Sequence, residues 1–268
     1  MNKIKQKHQQ FENNCRRLGL KTLMHQYTEL TKRATREKTA YFDFLYDIIQ
    51  HEAAHKQQRR IEYLITKSRL PRPLSLLGDF DFDFQPHLNR RLINQLAGMD
   101  FVENSESVLF IGTPGTGKSH LARSLALIAC QKDYRVLYTT CSDLIIDLNT
   151  GVFEKTLEDR IKKYIRSDLL VIDEMGHDRL ELQVTKEAHL LFKVIDERYR
   201  KKKPLIFTTN IEEVDWPEFL GDPVSTSAIL DRIFHRSVIV RIDGPSYRKY
   251  QGKLLQEKYA TQKNQSDG

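Results

Sequence analysis

Between residues 107 and 242, short apolar runs alternate with longer stretches in which apolar residues recur every three or four positions. The runs at 107–111, 135–139, 168–172, 204–208 and 237–242 are the length of buried strands, and helical patterns fill most intervals between them. Such alternation predicts an α/β fold: a mainly parallel sheet with helices on both faces. Upstream the period changes. Residues 4–33 and 40–66 lack proline, contain only Gly19 as a glycine, and are rich in helix formers, so they predict two long helices. In the second, Phe42, Leu45, Ile48 and Ile49, resumed by Ile61, Leu64 and Ile65, predict one face to bury. Pro71 and Pro73 end the helical region, because proline removes a backbone donor and biases its predecessor away from helix. The expected domains are therefore an all-α unit at 1–70 and an α/β unit at 71–268. Asp79 to Phe84 alternates Asp with Phe, a pattern that fits a short half-buried strand or an extended linker. Residues 87–99 and 246–259 predict further helices, and 261–268 a polar frayed tail.

Charge sharpens this division. Residues 1–70 hold 15 Lys and Arg against 7 Asp and Glu, and the rest of the chain is close to neutral. A basic appendage on a near-neutral core fits a module that meets phosphates or an acidic partner, and equally a solvated helical face. No run approaches the ~18 apolar residues that span a bilayer, and no secretory pattern follows Met1 to Lys7, so no membrane partner is expected and the cytoplasm is the expected compartment. Cys15, Cys130 and Cys141 lack paired spacing and read as small hydrophobes.

The chemistry lies at strand ends. Gly112, Thr113, Pro114, Gly115, Thr116, Gly117, Lys118 and Ser119 match G-x-x-x-x-G-K-[ST] between a strand-like run and a helical one. Glycines let backbone N–H groups turn inward around phosphates, and the following helix presents its positive end to them. Lys118 is placed to neutralise the β and γ phosphates and Ser119 to hold Mg²⁺, making ATP and Mg²⁺ the expected cofactors. The 169–174 run delivers Asp173 and Glu174 at a strand's C-terminal end, where parallel sheets bind ligands. Asp173 is the expected second Mg²⁺ residue, and Glu174 the residue that polarises the attacking water. Asn210 closes another apolar strand, where an amide can position water or simply start a turn. Arg232 lies on an amphipathic helical stretch with Arg236 one turn further on.

Taken together, these motifs and the closing Gly244-Pro245-Ser246-Tyr247-Arg248 resemble AAA+ ATPases of the IstB/DnaC subgroup, over nearly the whole chain. Within it, the stretches 81–86, 167–176 and 229–232 resemble IstB, the ATP-dependent helper of insertion-sequence transposition. The resemblance implies strand order 5-1-4-3-2 and ATP sites at subunit interfaces. It implies Asn210 as sensor 1, Arg232 as an arginine finger acting on a neighbour's ATP, Arg248 as the sensor 2 arginine, and His120 as part of the nucleotide site. It further implies an ATP-bound homo-oligomer on double-stranded DNA that remodels the duplex with little sequence preference and stimulates a partner transposase. In related initiators and loaders the insertion at 143–166 lines the nucleic-acid channel. Here Lys155, Arg160, Lys162, Lys163 and Arg166 are the candidate phosphate contacts, with a solvated helical face as the plain alternative. A replicative helicase loader and a module that uses ATP only to assemble are the competing functions. No Asn-Lys-x-Asp element for guanine is found.

Overall fold

The computed structural model describes residues 2–176, 184–216 and 223–266. The chain divides into two compact units, residues 1–63 and 64–268.

The first unit is helical: α1 (Asn2–Leu18), α2 (Lys21–Glu37) and most of α3 (Tyr41–Lys67). The single helix expected over 4–33 is broken at Gly19, whose φ of +71° ends α1. The α1–α2 hairpin closes through Cys15, 3 % exposed, through the Phe11 and Tyr27 rings at 4.8 Å, and through the Tyr27 hydroxyl, which donates to Glu12 at 3.1 Å. Glu52 on α3 accepts from the Leu23 amide at 2.9 Å. The expected buried face of α3 is only partly buried. Leu64 is in a core, whereas Phe42, Leu45 and Ile49 are 75 %, 59 % and 61 % exposed. In the first half of α3, Phe44 and Ile48 are half-buried beside Leu30 and Ala34 of α2, while Phe42, Leu45 and Ile49 keep the apolar spacing but lie exposed.

The second unit begins inside the last turns of α3, because Leu64 and Leu70 pack into its core. The compact units therefore divide seven residues before the expected boundary. After α4 (Arg90–Ala97) and the single turn α5 (Asp100–Glu103) comes a five-stranded sheet. Its strands are β1 (Ser107–Gly112), β2 (Val136–Thr140), β3 (Leu169–Met175), β4 (Leu205–Thr209) and β5 (Ser237–Ile242), all parallel in the order 2-3-4-1-5. The helices are α6 (Lys118–Gln131), α7 (Cys141–Phe153), α8 (Leu157–Arg166), α9 (Val184–Arg200), α10 (Pro223–His235) and α11 (Tyr247–Ser266). The last runs as helix through most of the expected tail. Period-two alternation sorts the strand residues between two cores. Val108, Phe110 and Val171 face α4 and α6, and Leu109, Ile111 and Ile172 face α7, α8 and α9. Burial on both faces is why these strands read as continuous apolar runs.

The Asp-Phe alternation forms no strand. Residues 77–79 make one 3-10 turn and 82–84 another turn, yet the side chains still alternate, with Asp79, Asp81 and Asp83 exposed and the phenylalanines half-buried. Phe80 and Phe82 meet edge to face at 4.8 Å, and Phe84 meets Tyr247 at 5.0 Å. The segment is a clasp laid along the unit, the linker alternative of the sequence reading. At the sheet's edge, the Tyr138 amide of β2 donates to the Ser68 carbonyl at 2.8 Å, so the residues just after α3 cover part of a strand edge that would otherwise be open. The three cysteines are buried and free, and burial pushes the Cys130 thiol up to about 11.

Candidate nucleotide site

The end of β1, the start of α6 and the ends of β3 and β4 converge on one cleft. Gly117 caps α6 in the left-handed region at φ +101°, and a Cβ there would lie 2.5 Å from the Phe80 ring. Only glycine fits, which explains the second invariant position of the loop motif in physical terms. Lys118, 8 % exposed, folds back so that its ammonium donates to the Gly112 and Thr113 carbonyls at 2.6 and 2.8 Å. Burial lowers its pKa to about 8, Arg248 adds to the shift, and Asp173 partly offsets it. Thr116 donates to the Thr113 carbonyl at 2.9 Å and so tightens the loop.

Asp173 is the hub. Its carboxylate is completely buried. Oδ1 accepts from Ser119 at 2.7 Å, from the Glu174 amide at 3.1 Å and from the Thr208 hydroxyl. Oδ2 accepts from the Tyr138 hydroxyl and from Arg123 at 2.9 Å. Burial alone would raise this pKa, but the bonds from Thr208, Tyr138 and Ser119 and the charge of Arg123 hold the carboxyl below its ordinary value. Arg123, Tyr138 and Thr208 were not singled out from the sequence. They come from α6, β2 and β4, and no local spacing links them.

Beyond Asp173 the β3–β4 register slips, and Glu174 adopts φ +61°. Left-handed backbone is uncommon outside glycine and concentrates where a side chain must be re-aimed. The Glu174 carboxylate is exposed in the same cleft as Lys118, Ser119, Asn210 and Arg248, with Pro114, Thr208 and Thr209 completing the lining. Five of the residues predicted for phosphate chemistry thus line one cleft, Lys118, Ser119, Glu174, Asn210 and Arg248, and a sixth, Asp173, is buried behind it and bonded to Ser119. Ser119 and Asp173 offer hard oxygen donors beside a phosphate loop, which suits a magnesium ion whose other ligands come from phosphate and water. Among the described residues no cluster of three or more His, Cys, Asp or Glu could hold a metal alone.

A second cleft adjoins the loop, lined by Phe80, Phe84, Gln85, Thr116, Gly117, His120 and Tyr247 together with Asp79 and Asp81. His120 anchors the clasp. Its Nε2 lies 2.8 Å from the Leu76 carbonyl, and because a carbonyl only accepts, that nitrogen carries the hydrogen. Gln85 donates to the Pro245 carbonyl at 2.9 Å, and the Tyr247 amide to the Gly115 carbonyl at 2.9 Å. Tyr247 of the closing motif sits at this aromatic cleft.

Other candidates lie elsewhere. Arg232 is outside its own chain's cleft: Nε donates to Asp196 at 2.8 Å, and the guanidinium lies 5.1 Å from the Phe192 ring. Arg236 lies over Tyr199 at 5.9 Å. In the α7–α8 insertion Arg160 and Lys163 both turn inward to Asp147, Lys163 at 2.8 Å, and Arg160 also bonds Glu154. Lys155, Lys162 and Arg166 are exposed, with Lys162 paired to Asp159 at 3.0 Å.

A five-stranded parallel sheet in this order, with a phosphate loop after β1 and an acidic pair ending β3, is an AAA+-like P-loop fold. Solved structures agree on the fold. AMPPCP-bound DnaA from Aquifex aeolicus superposes with TM-score 0.53 at 19 % identity, covering 70 % of this chain and 56 % of that one. DnaI gives 0.51 at 18 %, covering 66 % and 94 %. Residues 13–254 match the family described as IstB-like ATP binding protein, and the chain belongs to that family of insertion-sequence ATP-binding proteins. It is 35 % identical to the ATP-binding protein of insertion sequence IS5376 from Geobacillus stearothermophilus, over 92 % of this chain and 97 % of that one. It is 36 % identical to that of IS21 from Pseudomonas aeruginosa, over 87 % and 86 %.

Proposed function

We propose that this protein is an ATP-hydrolysing helper of insertion-sequence transposition, which assembles with ATP on duplex DNA, remodels it and stimulates a partner transposase. The observation that carries the hydrolytic part is the convergence of Lys118, Ser119, Glu174, Asn210 and Arg248 on one cleft, with Asp173 buried behind it and bonded to Ser119. Family membership supports the transposition part over a helicase loader. ATP would lie with its phosphates against the loop and the α6 N-terminus, and its base in the aromatic cleft beside Phe80 and Tyr247. Lys118 and Arg248 would bind the phosphates, and Ser119 and Asp173 would hold magnesium, which screens phosphate charge. Glu174 would orient water for attack on the γ phosphorus, with Asn210 fixing its position. Arg232 would complete a neighbouring subunit's site after leaving Asp196.

Replacing Glu174 by glutamine is expected to keep ATP affinity within a few-fold while lowering turnover by about 10²–10³, the ordinary yield of a positioned base. Parallel nucleotide-binding and phosphate-release assays check this, and an unchanged turnover would remove Glu174 from the mechanism.

Binding to random-sequence duplex DNA with ATP, ADP or no nucleotide, followed by size analysis, tests the whole reading. ATP-dependent, sequence-tolerant binding as a large oligomer is expected, with affinity falling steeply as salt rises. Because Arg160 and Lys163 are held by Asp147, replacing Lys155, Lys162 and Arg166 should weaken binding more per residue. Indifference to duplex DNA in every nucleotide state, with capture of a replicative helicase, would favour the loader instead.

A further inference from the structure

The buried carboxylate of Asp173 is already matched by a cation. Arg123 donates to its Oδ2 at 2.9 Å, and neither Arg123 nor Tyr138 lines the phosphate cleft. The arrangement is fixed. Arg123 Nε and Nη2 donate to the Tyr138 hydroxyl at 3.1 and 2.8 Å, and that hydroxyl donates onward to Oδ2. One hydroxyl hydrogen and two lone pairs are thereby all used. The guanidinium carbon also lies 5.3 Å from the Tyr138 ring centroid, and Tyr138 is 6 % exposed. Oδ1 faces the other way, toward Ser119 and Thr208.

We infer that Arg123 sets the magnesium dependence of the nucleotide site by charge, meeting Oδ2 both directly and through Tyr138 and lending Asp173 a positive charge against which the metal must bind. The inference rests on reading Ser119 and Asp173 as the magnesium-holding pair. The carboxylate would not be released by losing Arg123, because Ser119, Thr208, Tyr138 and the Glu174 amide still hold it in a fully buried place. What changes is charge. A unit charge a few ångströms away contributes about 1 kcal/mol in water-like surroundings and more where it is partly buried, so cation binding shifts by roughly tenfold or more. Arg123 thus tunes the site toward weaker metal uptake.

The test is magnesium titration of the full-length chain bound to a fluorescent ATP analogue, after measuring analogue affinity in EDTA. Arg123→Met is expected to leave the EDTA affinity within about threefold and to lower the half-saturating magnesium concentration roughly tenfold. Arg123→Lys, which keeps the charge, should stay near wild type, and Tyr138→Phe, which loosens the arginine, should fall between. A merely structural arginine would change the melting temperature without moving the magnesium midpoint. An Arg123→Met protein with intact melting and an unchanged or higher midpoint overturns the inference. If that variant fails to fold, Tyr138→Phe decides, and a midpoint equal to wild type overturns it. A wild-type chain that binds the analogue with no response to magnesium would instead sink the reading of Ser119 and Asp173 on which the inference rests.

Discussion

Replacing Lys118 by alanine is expected to weaken ATP binding by two to three orders of magnitude and to bring hydrolysis to background. Lys118 is 8 % exposed and sits at the N-terminus of α6, where the helix end and the loop amides already favour an anion. Its hydrogens go to the Gly112 and Thr113 carbonyls, which holds it inside the loop. Hydrogen bonds involving a charged group contribute ~1.5–3 kcal/mol each. Two such bonds to phosphate oxygens give roughly 3–6 kcal/mol, less what the ammonium gives up at the two carbonyls, hence the expected loss in affinity. A pH dependence follows from the same residue. Burial, with help from Arg248, lowers the Lys118 pKa to about 8 in the free site, and phosphate must raise it again. Affinity should therefore be full below pH 8 and fall as pH rises through it, with a proton taken up on binding at the upper end. Calorimetry in buffers of different ionisation enthalpy reads that proton directly. An alanine variant that binds ATP normally would mean that the ammonium does not meet the phosphates.

How far the sequence could be read follows from which forces are local. The central strands were legible because each is buried on both faces, and an apolar run bounded by turns survives any arrangement of its neighbours. The phosphate loop was legible because Gly117 answers to a backbone conformation and a close ring, which no other residue can satisfy. The surroundings of Asp173 were not. Arg123 and Tyr138 are 50 and 35 residues away from it along the chain, and only the parallel pairing of β2 with β3 brings the tyrosine alongside. Alternation in the Asp-Phe segment correctly foretold which side chains face inward but not a strand, since no neighbouring strand is there to bond it. The face of α3 went wrong for the opposite reason. Spacing shows which residues can be buried together, and Phe42 and Ile49 find nothing to bury them within the described chain. Charge reading of the α7–α8 insertion had the same limit, because Asp147 takes Arg160 and Lys163 inward and leaves only part of the basic set facing solvent.

Replacing Arg198 by methionine is expected to destabilise the second unit by ~3–5 kcal/mol, the usual result of leaving buried charge partners or carbonyls uncompensated. Arg198 is completely buried on α9. Its Nη1 donates to the Tyr164 and Ser167 carbonyls at 2.6 and 3.2 Å and to the Ser167 hydroxyl at 3.1 Å. Nη2 donates to the Pro204 carbonyl at 2.7 Å and, more weakly, toward Asp168 at 3.4 Å. One guanidinium thus gathers the end of α8, the approach to β3 and the approach to β4, all places where the chain changes direction and its carbonyls leave regular structure. Burial lowers its pKa to about 9, with Asp168 opposing the shift, so the group is still charged at neutral pH. Methionine fills much of the volume but donates nothing, and lysine has one nitrogen for acceptors that lie in several directions. A melting temperature lower by roughly 10 °C is therefore expected for Arg198→Met, given that 1 kcal/mol moves a unit of this size by about 2–4 °C, with Arg198→Lys in between. These bonds lie at the N-terminal ends of β3 and β4, whereas the nucleotide cleft lies at their C-terminal ends. ATP affinity measured well below the transition should accordingly stay within about twofold of wild type, since distant sites with no shared partners behave independently. A melting temperature within about 2 °C of wild type would show that water or a rearranged backbone satisfies those carbonyls, and that the arginine is not what ties α8, β3 and β4 together.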